Sequence, residues 1–182
     1  MGTPFSLFWS HRAGTAGAEM ALVLPLLLVL LFGTFELGNY FYSEHVVVKA
    51  VRDGARYAAR QSFGHYSCPG ATIIDNNGVT AAQLIQDVQD VTRTGKVSPA
   101  NSDVPRLGYW TSTYDSANTA ITVTVRCTSA TSYSGIYRGI VGGIPSVLVT
   151  AHVKYLSLFQ FIGLGRSSYY LNAESEAAVM GI

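Results

Sequence analysis

The chain has 182 residues, of which 13% are charged, and its formal net charge is +1. This length can hold one modest domain and a membrane segment, but not two full domains. The near-zero charge and the scattered Lys and Arg residues do not make the basic surface that nucleic acids require, so we expect no nucleic-acid partner.

The first predicted element is a membrane-spanning helix. Residues 20–35 contain no charged side chain, and aromatic residues extend the run to residue 42. A helix needs about 20 residues to cross the hydrocarbon core, so residues 20–42 suffice. A single acid, Glu19, stands at the start of the run. Because an ionised carboxylate costs roughly 2.5–3.5 kcal/mol at the centre of a membrane helix, we expect Glu19 to be functional and to have a partner.

The apolar segment is predicted to stay attached as a single-pass anchor. A cleaved secretory signal ends in a small-x-small site, and here the bulky Leu31 and Phe32 occupy the positions that would need small residues. Basic residues lie on both sides of the segment, so charge alone does not decide its orientation.

Two cysteines, Cys68 and Cys127, both follow the anchor. An even pair downstream of a membrane segment favours one disulfide in an oxidising compartment, and therefore an N-in, C-out orientation. Such a bond is worth nominally about 4 kcal/mol in the chain-entropy model. Two reduced, buried thiols are the alternative.

The helical pattern continues beyond the membrane to Arg60, which predicts one helix of about 40 residues. Pro25 is expected to kink or locally melt it. Gly54 costs about 1 kcal/mol relative to Ala inside a helix, which either close packing against another helix or a flexible joint would explain. Lys49 and Asp53 have the i, i+4 spacing of a pair on one helix. An apolar stripe marks the expected packing surface: Leu37, Phe41, Val48, Val51, Ala55 and Ala58.

Residues 62–182 are expected to form a small α+β head. A helix is predicted over residues 81–93, with Thr80 as its N-cap and Gly95 as its stop. Alternating apolar residues predict strands over residues 121–128 and 147–155, the first of which points Cys127 into the core. Further strands are expected over residues 169–177 and near residues 107–113. We expect an antiparallel sheet that packs against the amphipathic half of the long helix.

An apolar patch follows the second clear strand. It is interpreted as core or membrane-proximal packing, with a subunit contact as the alternative. Its members are Phe159, Phe161, Ile162 and Leu164.

No catalytic or metal-binding pattern rises above background. The sequence GLGRSS at residues 163–168 lacks the strand–loop–helix frame of a dinucleotide site, and DNNG at residues 75–78 is typical of an Asx turn. We therefore expect no enzyme, no cofactor and no metal. The histidines are scattered without metal-ligand spacing: His11, His45, His65 and His152.

The N-terminal third of the chain resembles a known family. GTAGAEMALVLPLLLVLLFGTFELGNYFY, followed by VVKAVRDGARYAARQ, is similar to the N-terminal region of TadE-like and TadG-like proteins. These are minor pseudopilins and assembly factors of the tight-adherence (type IVc, Flp) pilus, and the chain's length fits the TadE-like members better. One departure is Met20, where the family commonly has an aromatic residue.

The resemblance implies a pseudopilin-like fold and cleavage by a prepilin peptidase after Gly14, which makes Thr15 the new N-terminus. Glu19 would then be the fifth residue, facing the N-terminal amine of a neighbouring subunit. The implied partners are the membrane, other pilins and pseudopilins, the peptidase and the pilus assembly platform. The implied location is the bacterial inner (cytoplasmic) membrane or the pilus, with the C-terminal domain extracytoplasmic.

Together these expectations divide the chain into a leader at residues 1–14, a transmembrane and amphipathic helix at 15–61, and an extracytoplasmic α+β domain at 62–182. The expected function is that of a minor pseudopilin or assembly factor. The alternative is a membrane-tethered extracytoplasmic binding module unrelated to pili. A membrane-bound hydrolase ranks below both, because no nucleophile–base pair can be named.

Overall fold

A computed structural model describes residues 13–98, 103–110, 114–115, 119–128, 134–138, 142–160 and 169–181, with the backbone alone at 13–15, 114–115 and 119–120. Its first element is a helix, α1, that spans Ala13–Ala59 and contains 47 residues. At 1.5 Å per residue it is about 70 Å long. The helix continues through Pro25, and it ends one residue before the predicted end at Arg60. The expected long N-terminal helix is therefore confirmed.

A short connection leads from α1 to the second helix. A turn of 3-10 helix, Phe63–His65, precedes a small antiparallel hairpin of β1 (Tyr66–Ser67) and β2 (Thr72–Ile73). Helix α2 then spans Ala81–Thr94. The sequence did not predict the hairpin, because two-residue strands are too short to show alternation.

Both predicted ends of α2 are confirmed. The Thr80 hydroxyl accepts a hydrogen bond from the Gln83 amide at 3.1 Å, which satisfies one of the free N–H groups of the first turn. Gly95 closes the helix in the left-handed conformation with φ 84°, and its amide donates to the Val91 carbonyl.

The main sheet is antiparallel, in the order β3–β4–β5–β6. Its register places Val123 opposite Val149, and Val149 opposite Ser175. The three longer strands confirm the predicted ones, and the α+β class is confirmed with them. The strands are β3 (Tyr114–Asp115), β4 (Thr119–Thr128), β5 (Ile144–Lys154) and β6 (Tyr170–Ala178).

The strand expected near residues 107–113 is wrong over its described part. Leu107 and Trp110 are both buried, but a turn joins them, in which the Trp110 amide donates to the Leu107 carbonyl at 2.8 Å. Two apolar residues three positions apart can both enter a core from a turn, so the pattern did not require a strand. Residues 111–113 lie outside the described part of the chain.

The core lies between α1, α2 and the inner face of the sheet. The sheet packs on α1 through β5 and β6, and α2 packs on both α1 and β4. The core thus crosses the predicted boundary at residue 61, because the second half of α1 is part of it. Its fully buried members include Val47, Ala50, Val51, Ala55, Leu84, Val88, Val147, Val149, Val153 and Leu171.

Gly54 lies where α1 meets α2. A Cβ built on Gly54 would overlap the Thr92 hydroxyl oxygen and lie 3.3 Å from the Thr92 Cβ. Thr92 is itself fully buried. Of the two explanations for this glycine, close helix packing is therefore the correct one, since no side chain fits between the two helices.

Cys68 and Cys127 form a disulfide with their Cα atoms 5.4 Å apart. Cys68 follows β1 and Cys127 lies near the end of β4, so the bond links the small hairpin to the main sheet. The disulfide prediction is confirmed, and the alternative of two reduced thiols does not describe this structure.

Candidate functional site: an exposed apolar helix and its junction with the head

The first half of α1 presents apolar side chains to its surroundings. From Met20 to Leu31 the large apolar side chains are exposed, Leu22 most of all at 79%. Soluble surfaces do not carry an apolar patch of this extent without a partner, because each Å² withdrawn from water gains about 25 cal/mol. By length and composition, the helix can cross a membrane. Lipid or other helices would cover this half of α1.

The residues of the predicted processing site lie at the beginning of α1. Gly14 and Thr15 belong to its first turn, and Glu19 follows about one turn later. The Glu19 side chain is exposed, and within the described residues it has neither a hydrogen bond nor an ion pair. Any cation that neutralises Glu19 in a membrane must come from outside the described part of the chain.

The predicted packing stripe needs a correction in its membrane-proximal part. Val51, Ala55 and Ala58 are buried, whereas Val48 is only half-buried. Leu37 and Phe41 are 54% and 50% exposed, so they do not belong to the face that packs on the head. That face instead runs through residues 36, 39–40, 43 and 47, and it carries polar groups that a search for apolar residues passes over.

A carboxylate anchors the head on this polar face. One Glu36 oxygen accepts a hydrogen bond from the Tyr155 hydroxyl at 2.9 Å, and the other accepts from the Leu158 amide at 3.0 Å. The Asn39 amide nitrogen donates to the same Tyr155 hydroxyl at 2.8 Å. Glu36 lies at the end of the apolar run, where an unpaired carboxylate is unfavourable. Its two donors from the head satisfy it there.

Aromatic rings surround this hydrogen-bonded group. The Tyr40 ring packs edge-on against Tyr155 at 5.2 Å, and the Phe32 ring packs against Phe159 at 5.0 Å. Burial raises the pKa of Tyr155 to about 12, and the Glu36 carboxylate adds to this although the Asn39 hydrogen bond opposes it. The Tyr155 hydroxyl is therefore protonated at neutral pH and can act as a donor to Glu36.

An apolar cleft of about 450 Å³ opens beside this junction. It lies between α1 and the end of β5, at the level where the uncharged run of α1 ends. Its lining residues are Gly33, Glu36, Leu37, Tyr40, Tyr155 and Tyr169.

An ion pair joins α1 to the loop after α2. The Asp53 carboxylate lies 2.8 Å from an Arg106 guanidinium nitrogen, and both side chains are partly buried. The i, i+4 spacing of Lys49 and Asp53 therefore does not identify the partner of Asp53. Lys49 is exposed, and Arg106, which belongs to another segment of the chain, pairs with Asp53 instead.

Among the remaining predicted features, Phe159 lies at this junction and His152 lies away from it. His152 lies on the outer face of the sheet, where its ring stacks on Tyr170 at 4.3 Å and it hydrogen-bonds to Asn172. Among the residues the structure describes, no group of His, Cys, Asp and Glu side chains is arranged to hold a metal ion. Phe159 of the predicted patch lies against α1, whereas Phe161, Ile162, Leu164 and the GLGRSS segment lie outside the described residues.

Comparison with known proteins gives one match. The model of a family described as TadE-like protein matches residues 14–56. A search of curated proteins and a search of solved structures each found no match. The matched residues include the exposed apolar half of α1, Glu19, Glu36 and most of the face that packs on the head. Residues 14–56, which lie within α1, are thus similar to the TadE-like family.

Proposed function

We propose that the protein is a minor pseudopilin or assembly factor of a tight-adherence (Flp) pilus, anchored in the bacterial inner membrane by the first half of α1. A TadE-like region is typical of proteins associated with this pilus machinery. One observation carries the proposal: the residues that match the family, 14–56, include the half of α1 whose apolar side chains are exposed. The proposed role needs no catalytic group and no cofactor.

The head lies outside the cytoplasm in this proposal. The Cys68–Cys127 disulfide supports that side of the membrane, because such bonds persist in oxidising compartments. The N-terminus is then cytoplasmic, where a prepilin peptidase can act on it. Other pilins and pseudopilins, together with the assembly platform, are the proposed partners.

Glu19 has the proposed role of setting register between subunits. Cleavage after Gly14 creates an α-amine at Thr15, and the amine of a neighbouring subunit can neutralise Glu19 in the low dielectric of the membrane. The exposed position of Glu19, without a partner in the described residues, supports a contact of this kind. When Glu19 pairs with this amine, the two α1 helices are held at one position relative to each other along their axes.

The proposed processing is tested by mass spectrometry of the N-terminus of the protein, purified from cells with and without prepilin peptidase. We expect a chain that begins at Thr15 in the first case and at Met1 in the second. Met1 retained in both would contradict processing and leave an uncleaved, anchored assembly factor.

The role of Glu19 is tested separately by Glu19→Ala and Glu19→Gln, scored for membrane insertion and for pili on the cell surface. Both variants should insert, since neither adds a charge, and both should fail to support piliation. Glu44→Ala is the matched control, because it removes a carboxylate from the same helix outside the apolar run. Normal pili with Glu19→Gln would contradict the charge-based role.

A further inference from the structure

We propose that residues 155–160, the start of the loop between β5 and β6, insert into the lipid interface on the outer side of the membrane, so that the head has a second membrane contact besides α1. The other described residue of this loop is Tyr169, directly before β6. The inference rests on the membrane anchorage in the proposed function, and it adds an interaction surface with lipid as its partner.

The position of the loop along α1 is the first argument. Phe159 contacts Phe32, which lies inside the uncharged run of residues 20–35, and the Leu158 amide binds Glu36, the first charged residue after it. Phe32 and Glu36 are about 6 Å apart along the helix axis at 1.5 Å per residue. The loop therefore lies beside α1 at the boundary between its apolar and polar parts.

The side chains of the loop are the second argument. Leu156 and Leu158 are 46% and 51% exposed, although a loop on a water-facing surface normally carries polar residues. The Leu158 amide donates to Glu36 and the Phe159 amide donates to the Ser157 hydroxyl, so these two donors can approach the hydrocarbon without being left unpaired. At this depth the transfer of apolar side chains from water into lipid is favourable in free energy.

The residues that flank the loop are typical of a membrane interface. Tyr169, the residue before β6, is 60% exposed, and Tyr and Trp residues concentrate at the level of lipid headgroups. Lys154, the last residue of β5, is exposed and can reach lipid phosphates while its methylene groups stay near the apolar boundary. A lipid interface fits this combination of exposed leucines, an exposed tyrosine and a cation.

The test places a nitroxide spin label on the loop of the full chain. The chain has only two cysteines, and they are bonded to each other, so an introduced cysteine is its only free thiol. Leu156→Cys and Leu158→Cys are labelled and reconstituted in vesicles of phosphatidylethanolamine and phosphatidylglycerol. Collisions of the label with oxygen, which enters lipid, and with a nickel chelate, which stays in water, report its depth.

Two matched positions calibrate the measurement. Leu27→Cys places the label in the exposed apolar half of α1, and Val104→Cys places it on an exposed apolar residue of the head near Arg106. Arg106 contacts Asp53, far along α1 from the apolar run, so Val104 serves as the aqueous control. We expect an oxygen-to-nickel collision ratio at Leu156 and Leu158 that is several-fold higher than at Val104 and lower than at Leu27, which lies about 14 Å deeper along α1 than Glu36.

Three results would overturn the inference. Ratios at both loop positions equal to that at Val104, with a high ratio at Leu27, would leave the loop in water while the anchor stands. A low ratio at Leu27 as well would remove the membrane anchorage itself. In the third result, neither reagent reaches the labels, and spin–spin broadening fades when the protein is diluted with more lipid. This result would assign the loop to a contact between subunits.

Discussion

The Glu36 carboxylate in α1 accepts a hydrogen bond at 2.9 Å from the hydroxyl of Tyr155, which lies 119 residues later in the sequence. The same carboxylate holds the Leu158 amide, and the same hydroxyl accepts from Asn39. These contacts fix the membrane-proximal end of the head to the helix. Glu36 and Asn39 come before the core residues Val47 and Val51 in α1. Their contacts with the head therefore extend the packed part of the helix by about three turns toward the membrane.

Tyr155→Phe removes the hydroxyl shared by Glu36 and Asn39 without changing the ring that packs on Tyr40. We expect a loss of about 1–3 kcal/mol in the free energy of unfolding, because a hydrogen bond to a charged group is lost at a largely buried position. Denaturant unfolding of the full chain in detergent, followed by near-UV circular dichroism, measures it.

A double-mutant cycle separates the Glu36–Tyr155 contact from other effects of the substitution. With Glu36→Gln as the second change, the two losses should not add, since each removes the same charged hydrogen bond. Tyr42→Phe is the matched control, because Tyr42 is an exposed tyrosine of the same helix. Additive losses in the cycle would show that the two residues do not act together.

Gly54→Ala is expected to destabilise the head although alanine is the better helix former. The gain in helix propensity is about 1 kcal/mol. Against it stands the overlap of the new Cβ with the hydroxyl oxygen of Thr92, a buried side chain that cannot move away without losing its 2.7 Å hydrogen bond to the Val88 carbonyl. Overpacking of this kind costs typically 1–3 kcal/mol, so the thermal unfolding temperature should fall.

Thr92→Ala provides the compensating change for Gly54→Ala. It removes the oxygen that the new Cβ overlaps and leaves the Thr92 Cβ position at 3.3 Å. The double variant should therefore unfold at a higher temperature than Gly54→Ala alone. Gly38→Ala is the control, because a Cβ at Gly38 meets no atom within 4 Å. An unchanged unfolding temperature with Gly54→Ala would contradict close helix packing at this point.

The elements that sequence predicted correctly are those whose signals are local. Thr80 and Gly95 end α2 through bonds to its own first and last turns, so a few neighbouring residues determine both ends. The alternation of Ile121, Val123 and Val125 likewise follows from the pleat of a single strand. No distant partner has to be known for either signal.

The errors have a common physical origin on the lower part of α1. There the apolar side chains of Leu37 and Phe41 are half-exposed, whereas polar Ser43 is buried and Asn39 is half-buried on the face that packs on the head. Near a membrane, a residue can be apolar because it faces lipid, so apolarity no longer identifies the side that faces protein. A stripe drawn through the apolar residues therefore departs from the packing face at Leu37 and Phe41, whereas Val51, Ala55 and Ala58 lie on it.

The long-range pairs of the candidate site were also beyond sequence reasoning. Glu36 directly follows the apolar run in the sequence, but its partner Tyr155 becomes a neighbour only when the sheet docks on α1. Asp53 had a plausible partner nearby in Lys49, and it pairs instead with Arg106, 53 residues away. Charge and spacing alone do not choose between partners when the fold supplies another one.

Replacing both Cys68 and Cys127 with Ser should lower the free energy of unfolding by about 2–5 kcal/mol, as for small secreted domains that lose a native disulfide. The bond is expected to matter here because β1 and β2 have only two residues each, so few backbone hydrogen bonds hold the hairpin together. Denaturant unfolding with and without a reducing agent measures the difference. The reducing agent should destabilise the native chain and leave the Cys-free variant unchanged, and equal stability of the two chains without it would contradict the prediction.

Tyr66→Phe should change how stability depends on alkaline pH. Burial raises the pKa of Tyr66, with Tyr57 nearby adding to the shift, and the hydroxyl donates to the Ala58 carbonyl at 2.6 Å. The folded state therefore favours the neutral phenol. Its contribution is complete below the unfolded tyrosine pKa of about 10 and is lost as the pH rises from there toward the folded pKa.

The measurement is the free energy of unfolding between neutral pH and the alkaline range. At neutral pH, Tyr66→Phe should cost about 1 kcal/mol for the lost hydrogen bond. Above pH ~10 its stability should fall less steeply than that of the native chain, by up to about 1.4 kcal/mol per pH unit, since one fewer phenol ionises on unfolding. A Tyr66→Phe curve parallel to that of the native chain would mean that Tyr66 ionises as readily in the folded state as in the unfolded one.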